Sequence, residues 1–385
     1  MMAGLKNYLF NYLYELINGK RVGILAFPLK AGLRFLSWIY ACFIFFRNFF
    51  YDFNLLKSRE FSPAVLSLGN ITTGGTGKTP AAATLAAYFQ EQGKRVAVIS
   101  RGYQGENFKP LLISDGSQIL AGPGLAGDEA YMLARKLNDT PVVICRDKIE
   151  AARFACQELK PEILLVDDGY QHRRLTRDFD LVLIDATNPF GYNFLLPRGL
   201  LREPKSALKR ADGIVISRSD LVSRKKIEDI VSRIQNFFDS DFIYLSRHIP
   251  FGLQSFQGER LDLISLENSR VVAFSGLANP AGFLASLEEL GSEVVRHFEF
   301  PDHHNYSRED LKRIVNFFLQ RDNIDFLITT RKDMVKFNQQ MIDFLKIKNI
   351  DPLRLEIKME FSSFFPEVES FESRLEQALS RKRGE

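Results

Sequence analysis

A glycine-rich stretch, SLGNITTGGTGKTP at residues 67–80, has the residue types of a phosphate-binding loop. Glycines let backbone N–H groups turn toward phosphate oxygens, the lysine can reach the β and γ phosphates, and the threonine after it can hold Mg²⁺. The usual spacing, GxxxxGK[ST], places a glycine where this chain has Thr72. The positions predicted to contact the nucleotide are Thr72, Thr73, Gly74, Gly75, Thr76, Gly77, Lys78 and Thr79. The alternative is a glycine-rich turn between a strand and a helix that binds nothing.

A pair of adjacent carboxylates supports the nucleotide interpretation. The sequence EILLVDDGYQ runs from an apolar stretch into Asp167 and Asp168, as in an element that holds Mg²⁺ beside a bound triphosphate. Acidic residues at a strand end are also common solvent-facing caps. Because the pair occurs together with GGTGKT, the two motifs predict binding of a nucleoside triphosphate with Mg²⁺, the Thr79 hydroxyl and both carboxylates being the predicted metal ligands.

Short apolar runs alternate with helical sequence in the region that contains both motifs. The runs lie at residues 64–68, 95–100, 141–145, 162–168, 180–185 and 212–217. Continuous apolar strands joined by helices predict a parallel sheet covered on both faces, with ligand sites beyond the carboxyl ends of its strands. We therefore predict an α/β core domain of the P-loop NTPase type over residues 61–244 and a second, smaller α/β domain over 245–345. Residues 346–385 carry no recognisable motif.

Residues 1–60 differ from the rest of the chain in charge and aromatic content. They contain eight Lys or Arg and three Asp or Glu, a net charge of +5, whereas the whole chain carries +4. Their longest uncharged stretch, residues 35–46, falls short of the about 20 residues that a spanning helix needs. The basic residues near the aromatic ones are Lys20, Arg21, Lys30, Arg34 and Arg47. This pattern predicts an N-terminal membrane-associated helix at an anionic surface, the alternative being a buried core helix with snorkelling arginines.

The cysteine content limits the compartment and the chemistry. Cys42, Cys145 and Cys156 are an odd number without CxxC spacing. They indicate neither a disulfide framework nor a cysteine metal site, and a reducing cytoplasm is the expected compartment.

The residues around the loop distinguish several classes of P-loop protein. Membrane-associated partitioning ATPases carry KGGxGKT, and Thr73 in place of that first lysine disfavours them. GTPases read guanine through an NKxD element, and the nearest sequences here, SRSD at 217–220 and TRKD at 330–333, match it poorly. A membrane-docked GTPase or ATPase that uses hydrolysis as a switch remains an alternative to a phosphate-transferring enzyme.

Seven motifs occur together in one order along the chain. They are SLGNITTGGTGKTP, SRGY (100–103), GDEAYMLA (127–134), VDDGYQHRRL (166–175), LLPRGLLREP (195–204), FSGLANP (274–280) and FPDHHNYS (300–307). In these motifs the chain closely resembles the tetraacyldisaccharide 4′-kinase family, from the N-terminal segment to about residue 337. The family's phosphate loop also begins with a residue other than glycine.

The resemblance implies a reaction, its cofactors and a location. ATP, with Mg²⁺, would donate its γ-phosphoryl group to the 4′-hydroxyl of tetraacyldisaccharide 1-phosphate, forming lipid IVA in lipid A biosynthesis. Two α/β domains would close over the nucleotide. The enzyme would be peripheral or monotopic on the cytoplasmic face of the bacterial inner membrane. We expect a monomer whose partners are the lipid and an anionic membrane surface, with no nucleic acid.

The resemblance also assigns catalytic residues, which together with Lys78 complete the predicted catalytic set. Asp128 matches the family's catalytic aspartate, which would accept the proton of the sugar hydroxyl; on the sequence alone it is equally well a helix N-cap. His303 matches the histidine that orients this aspartate, and motif position favours it over His304. Glu129 is a further candidate for the Mg²⁺ site.

Other motif positions face the substrate in the family. The residues matched to them are Arg101, Lys148, Gln171, His172, Arg202 and Glu203. Lys148 stands where the family often has arginine, and its ammonium group lacks the planar fork with which arginine contacts phosphate in a bidentate manner. Arg202 and Glu203 resemble a mobile lid near the phosphates, with an exposed ion pair of little energetic value as the alternative.

Overall fold

The computed structural model describes residues 12, 15–19, 21, 23, 26–101, 109–137, 139–277, 280–301, 304–321, 323–366 and 368–383. The chain forms two compact units. Met1–Arg247 and Phe361–Glu385 make up the first, and His248–Glu360 makes up the second.

The first unit contains a sheet built from the apolar runs of the sequence. Its strands are β1 (Ala64–Gly69), β2 (Val96–Ser100), β3 (Leu111–Asp115), β4 (Pro141–Ile144), β5 (Ile163–Asp167), β6 (Phe179–Asp185) and β7 (Gly213–Ser217). Their order is β7-β6-β1-β5-β2-β4-β3, and all pairs are parallel except β3 with β4. Every residue of β1, β2, β5 and β7 is buried, as expected for strands covered on both faces. The predicted P-loop type of parallel sheet is confirmed.

Helices of the first unit come from both ends of the chain as well as from the strand connections. They are Ala26–Asp52, Lys78–Glu91, Pro123–Ala126, Asp128–Lys136, Lys148–Phe154, Arg224–Gln235 and Phe371–Arg383. The last helix belongs to the C-terminal tail. Its Arg374 pairs with Asp241 at 2.7 Å, and its Phe371 packs edge-on against Phe242 and Tyr244. The last helix is therefore part of the core of the first unit, whereas the tail residues up to Glu360 belong to the second unit.

The second unit is a smaller α/β layer. Its strands are β8 (Ile243–Ser255), β9 (Arg260–Leu261), β10 (Arg270–Ser275), β11 (Glu293–Glu299), β12 (Phe326–Thr330) and β13 (Leu353–Ser363), the first and last of which begin or end in the first unit. Parallel pairing gives the order β11-β10-β12-β13. The helices are Pro280–Glu289, Arg308–Leu319, Arg331–Met334 and Gln339–Ile347. The unit extends to Glu360, past residue 345, because β13 pairs with β12.

The N-terminal helix, Ala26–Asp52, turns its polar groups inward and its aromatic rings outward. Ser37 is buried, whereas Trp38 is 64% and Phe43 66% exposed. By length and composition it is the one helix in the described part of the chain that could cross a membrane. The sequence does not predict a spanning helix here, because the longest uncharged stretch is limited to residues 35–46. Arg47 was expected to meet lipid headgroups, but its side chain turns inward and lies 3.2 Å from a Glu203 carboxylate oxygen.

Candidate nucleotide site

The phosphate-loop motif occupies the connection between β1 and the helix Lys78–Glu91. Gly74 and Gly77 have φ angles of +112° and +89°, a left-handed backbone that favours glycine. Gly77 is the N-cap of the helix, so the first N–H groups of the helix point into the loop. This is the local geometry that a bound phosphate requires.

Thr72 does not disturb the loop, although the usual pattern has glycine there. It is not among the described residues with positive φ, so its backbone is open to any side chain. It forms an antiparallel bridge with Leu201, and the N–H of Thr73 donates to the carbonyl of Leu200 at 2.7 Å. The start of the loop is therefore held by the segment that leads to Arg202.

Parallel pairing of β1 with β5 brings the two carboxylates to the loop. Leu68 of β1 lies opposite Asp167 in the register, and Asp168 follows directly. Lys78 Nζ is 3.4 Å from Asp168 Oδ1, and Arg202 Nη1 donates to both oxygens of Asp168 at 3.0 Å. The predicted residues Lys78, Asp168 and Arg202 thus meet at the carboxyl ends of the strands.

The two aspartates have opposite electrostatic environments. Burial opposes ionisation of Asp168, but Lys78 and Arg202 outweigh it and lower its pKa to about 2. Asp167 is 6% exposed, and burial raises its pKa although Lys148 and Lys78 act in the other direction. One oxygen of Asp167 accepts from Ser100 at 3.2 Å, whereas Oδ1 is buried and has no hydrogen-bond partner among the described residues. An additional cation beside Asp167 would satisfy that oxygen.

These residues fit a Mg²⁺ ion. Mg²⁺ is commonly bound through one or two carboxylates together with substrate phosphates and water, and the buried Oδ1 of Asp167 offers such a ligand. No group of three or more His, Cys, Asp or Glu side chains that could hold a metal alone occurs among the described residues. The site therefore suits an ion that arrives with a nucleotide.

Lys148, Gln171 and His172 lie behind the carboxylates. Lys148 is 1% exposed and donates to the backbone carbonyl of Asp167; burial lowers its pKa against the opposing effect of the two aspartates. Gln171 donates to the carbonyl of Asn70 at 2.8 Å. Burial and the nearby Lys148 lower the pKa of His172 to about 4. Lys148 thus contacts the backbone of Asp167, and its ammonium group is not exposed to a substrate.

Arg101 and Glu203 have contrasting positions. Arg101 is exposed and directly follows β2, the neighbour of β5, at the same edge of the sheet. Glu203 is fully buried, and both its oxygens accept hydrogen bonds, from Arg210 at 2.9 and 3.1 Å. The exposed Arg202–Glu203 ion pair, considered as an alternative, is therefore wrong, since each residue pairs with a different partner.

Three predicted residues lie wholly or in part outside the described set. Asp128 begins the helix Asp128–Lys136 directly after the N-cap residue, Gly127, and the side chains of Asp128 and Glu129 lie outside the described set. His303 also lies outside the described residues. The roles assigned to these three remain predictions.

His304 has a structural environment within the second unit. Its Nε2 lies 3.0 Å from Asp310 Oδ2, and its ring stacks on Phe300 with centroids 4.7 Å apart. Ser307 and Asp310 form a capping box at the start of Arg308–Leu319. These contacts occupy His304 in holding the loop to the helix.

Sequence reasoning missed several residues around the site. Tyr40 and Asn48 of the N-terminal helix donate to Arg202 O and to Glu203 Oε2, each at 2.9 Å. Arg210 was not considered either. The available signal was the spacing of Ser37, Tyr40 and Asn48 along an otherwise aromatic helix, which places them on one face.

The chain is similar to known tetraacyldisaccharide 4′-kinases over most of its length. The sequence profile of the family described as LpxK, tetraacyldisaccharide-1-P 4′-kinase, matches residues 29–379. A tetraacyldisaccharide 4′-kinase from Halothermothrix orenii is 40% identical over 354 residues, covering 89% of this chain and 92% of the relative. One from Syntrophus aciditrophicus is 38% identical over 318 residues, covering 80% and 84%.

A solved structure agrees with these relatives. LpxK from Aquifex aeolicus, crystallised in complex with ATP, superimposes with a TM-score of 0.70 at 29% identity. The match covers 92% of this chain and 99% of that one.

Proposed function

The chain belongs to the LpxK family of tetraacyldisaccharide-1-P 4′-kinases, and we therefore propose that it transfers the γ-phosphoryl group of ATP to the 4′-hydroxyl of tetraacyldisaccharide 1-phosphate, forming lipid IVA. The observation that carries the proposal is the meeting of Lys78, Asp168 and Arg202 beside the phosphate loop, next to the Asp167 oxygen that has no partner within the described ranges. These groups can bind a triphosphate with its metal.

The mechanism assigns a separate task to each residue. The N–H groups of the loop and Lys78 would hold the β and γ phosphates, and Thr79 and Asp167 would hold Mg²⁺, which would neutralise phosphate charge when bound. Arg202 and Lys78 can transfer their contacts from Asp168 to phosphate oxygens, because a triphosphate offers the same negative charge. On the resemblance, Asp128 would accept the proton of the sugar hydroxyl, and His303 would be the second catalytic residue.

The location is also a proposal. We infer that the enzyme is a monomer that lies on the cytoplasmic face of the inner membrane and contacts it through the N-terminal helix. The exposed aromatic rings of Ala26–Asp52 support this, since such rings favour the interface between headgroups and acyl chains. The acyl chains of the substrate would then not need to leave the bilayer.

The environment of Asp333, the last residue of the TRKD sequence, argues against a nucleotide-switched GTPase. Asp333 is fully buried, where it accepts from the N–H of Gly276 at 3.0 Å and from Thr330 Oγ1 at 2.6 Å. A carboxylate committed to these donors is not free to read a guanine base.

Acceptor-dependent release of ADP tests the choice between kinase and switch. We expect purified protein with ATP and Mg²⁺ to release ADP quickly only when tetraacyldisaccharide 1-phosphate is present in the detergent micelles. ADP or GDP release at the same rate without the lipid would favour a hydrolytic switch.

A further inference from the structure

A buried carboxylate joins the N-terminal helix to the nucleotide site. Glu203 is 0% exposed, and Asn48 Nδ2 donates to its Oε2 at 2.9 Å while Arg47 Nη2 lies 3.2 Å from the same oxygen. Arg210 donates to both oxygens, and Gln171 Nε2 donates to Oε1 at 3.2 Å. We call Arg47, Asn48, Gln171, Glu203 and Arg210 the Glu203 cluster.

Because Glu203 is charged and buried, the other members of the cluster must keep their positions around its carboxylate. Burial opposes ionisation, yet Arg210 and Arg47 lower the pKa of Glu203, so the carboxylate stays charged. A buried charge is tolerated only while its partners remain in place. Displacement of Asn48 and Arg47 would therefore force the remaining partners to rearrange.

Those remaining partners lead directly to the phosphate loop. Gln171 also donates to the carbonyl of Asn70, whose side chain donates to Thr76 Oγ1 in the loop at 3.1 Å. Arg202, the residue before Glu203, holds Asp168 with its guanidinium. Its own backbone is fixed at both polar atoms, because its N–H donates to Ile71 O at 2.7 Å and its carbonyl accepts from Tyr40 at 2.9 Å.

Hydrogen bonds attach one face of the helix to the rest of the first unit. Ser37 donates to Leu195 O and accepts from the N–H of Arg198, and Tyr40 and Asn48 continue the same face. The aromatic side chains, which would supply most of the burial energy in a soluble protein, face outward. The hydrogen bonds of Ser37, Tyr40 and Asn48 thus all end on the segment of residues 195–203, which contains Arg202 and Glu203.

We propose that Tyr40 and Asn48 are positioning residues of the nucleotide site: seated against Arg202 and Glu203, the N-terminal helix sets the guanidinium of Arg202 at Asp168 and thereby the affinity for Mg²⁺-ATP. The helix is then a component of the nucleotide site as well as a membrane contact. The inference rests on the proposed nucleotide site and not on the identity of the lipid acceptor.

A double-mutant cycle tests the proposal in the full-length protein in detergent. Equilibrium binding of labelled ATP with Mg²⁺ is measured for the wild type, Tyr40→Phe, Asn48→Leu, Arg202→Ala and the two double variants. Tyr40→Phe removes one oxygen and keeps the ring, so it retains the packing of the helix. We expect each helix variant to weaken ATP binding by about three- to tenfold, the effect of one hydrogen bond to a positioned group, and to have little further effect once Arg202 is alanine.

Lys30→Met is the matched control. It removes the 2.7 Å hydrogen bond from the same helix to the carbonyl of Arg21, which involves no member of the Glu203 cluster. ATP affinity in Tyr40→Phe and Asn48→Leu equal to that in Lys30→Met, or losses that simply add to that of Arg202→Ala, would overturn the proposal. Thermal unfolding of each variant identifies any loss of binding that comes from unfolding.

Lipid phosphorylation by the same samples separates this inference from the proposed function. Absence of the energetic coupling with lipid transfer intact overturns the positioning role alone. Coupling in ATP binding without lipid transfer leaves the positioning role supported and overturns the proposed acceptor.

Discussion

Asp167 and Asp168 are adjacent in sequence but differ in electrostatic environment. Asp168 is kept ionised by Lys78 and Arg202, with a pKa of about 2, whereas burial raises the pKa of Asp167 and one of its oxygens has no partner in the part of the chain described. The sequence DD identifies both as metal candidates but cannot distinguish them, because the difference arises from residues far away in sequence. We therefore propose Asp167 as the metal ligand and Asp168 as the partner of Lys78 and Arg202.

Replacement of Asp128 tests the assignment of the general base. We expect Asp128→Ala to slow single-turnover phosphate transfer by about 10²- to 10⁴-fold while the dissociation constant of ATP changes little, because a base acts in the transition state. Rapid-quench kinetics and equilibrium ATP binding provide the two measurements, with Tyr131→Phe on the same helix as the control. Equal losses in ATP affinity and transfer rate would indicate a structural role instead.

The two histidines of PDHHNYS have different predicted roles. His304→Ala should lower the stability of the second unit by about 1–2 kcal/mol, because it removes the contact to Asp310 and the stacking on Phe300. His303→Ala should instead lower turnover by more than about tenfold with an unchanged unfolding midpoint. Urea unfolding and steady-state kinetics of both variants decide the matter, and the reverse pattern would assign the catalytic role to His304.

His172 should give the fold a specific pH dependence. Its folded pKa of about 4 lies below the ordinary value of 6.5, so the unfolded chain binds more protons between these two pH values. Stability from this group is therefore complete above pH 6.5 and decreases as the pH falls toward 4, by about 1–3 kcal/mol. Urea unfolding at pH 7.5 and pH 5 should show a smaller decrease in His172→Gln than in the wild type; identical decreases would contradict the assignment.

The elements of the first unit divide into those that the sequence predicts well and those that it does not. Strands such as β1 and β5 are evident because they are buried on both faces and so consist of continuous apolar residues. The phosphate loop is evident because closely spaced glycines followed by Lys78 and Thr79 are typical of a phosphate-binding site. The contact from Tyr40 to Arg202 spans 162 positions and depends on how two elements pack, which no local pattern reports.

The N-terminal helix should bind membranes through its outward face. Trp38→Ser with Phe43→Ser should weaken binding to anionic phospholipid vesicles by at least about 100-fold, since burial of each large side chain is worth about 1.5–3 kcal/mol. ATP binding should be unchanged, because both side chains point away from Glu203 and are exposed. Vesicle co-sedimentation provides the measurement.

Two apolar residues of the second unit that are at least as exposed as Trp38 and Phe43 provide the control for the helix. Ile264 and Ile347 are 69% and 81% exposed, and Ile264→Ser with Ile347→Ser should leave vesicle binding intact. Undiminished sedimentation of the Trp38 and Phe43 variant would place the membrane contact elsewhere on the protein.

At the scale of the whole molecule, the basic excess of the N-terminal region serves more than one purpose. Arg47 compensates the buried Glu203, Arg34 lies over the ring of Phe194, and Lys30 donates to the carbonyl of Arg21. Net charge and aromatic content correctly set this region apart, but composition could not show which cations turn inward. The C-terminal tail is a similar case, because its helix acquires a role only through packing against residues near 241–244.

The central claim is that the site beside the phosphate loop transfers phosphate from ATP to the lipid. The most direct measurement is incubation of the purified protein with γ-labelled ATP, Mg²⁺ and tetraacyldisaccharide 1-phosphate in detergent, followed by thin-layer chromatography and determination of the phosphate positions. The account predicts a labelled lipid that carries phosphate at the 1 and 4′ positions, and loss of that product in Lys78→Ala. Robust hydrolysis of ATP with no label in the lipid would contradict it.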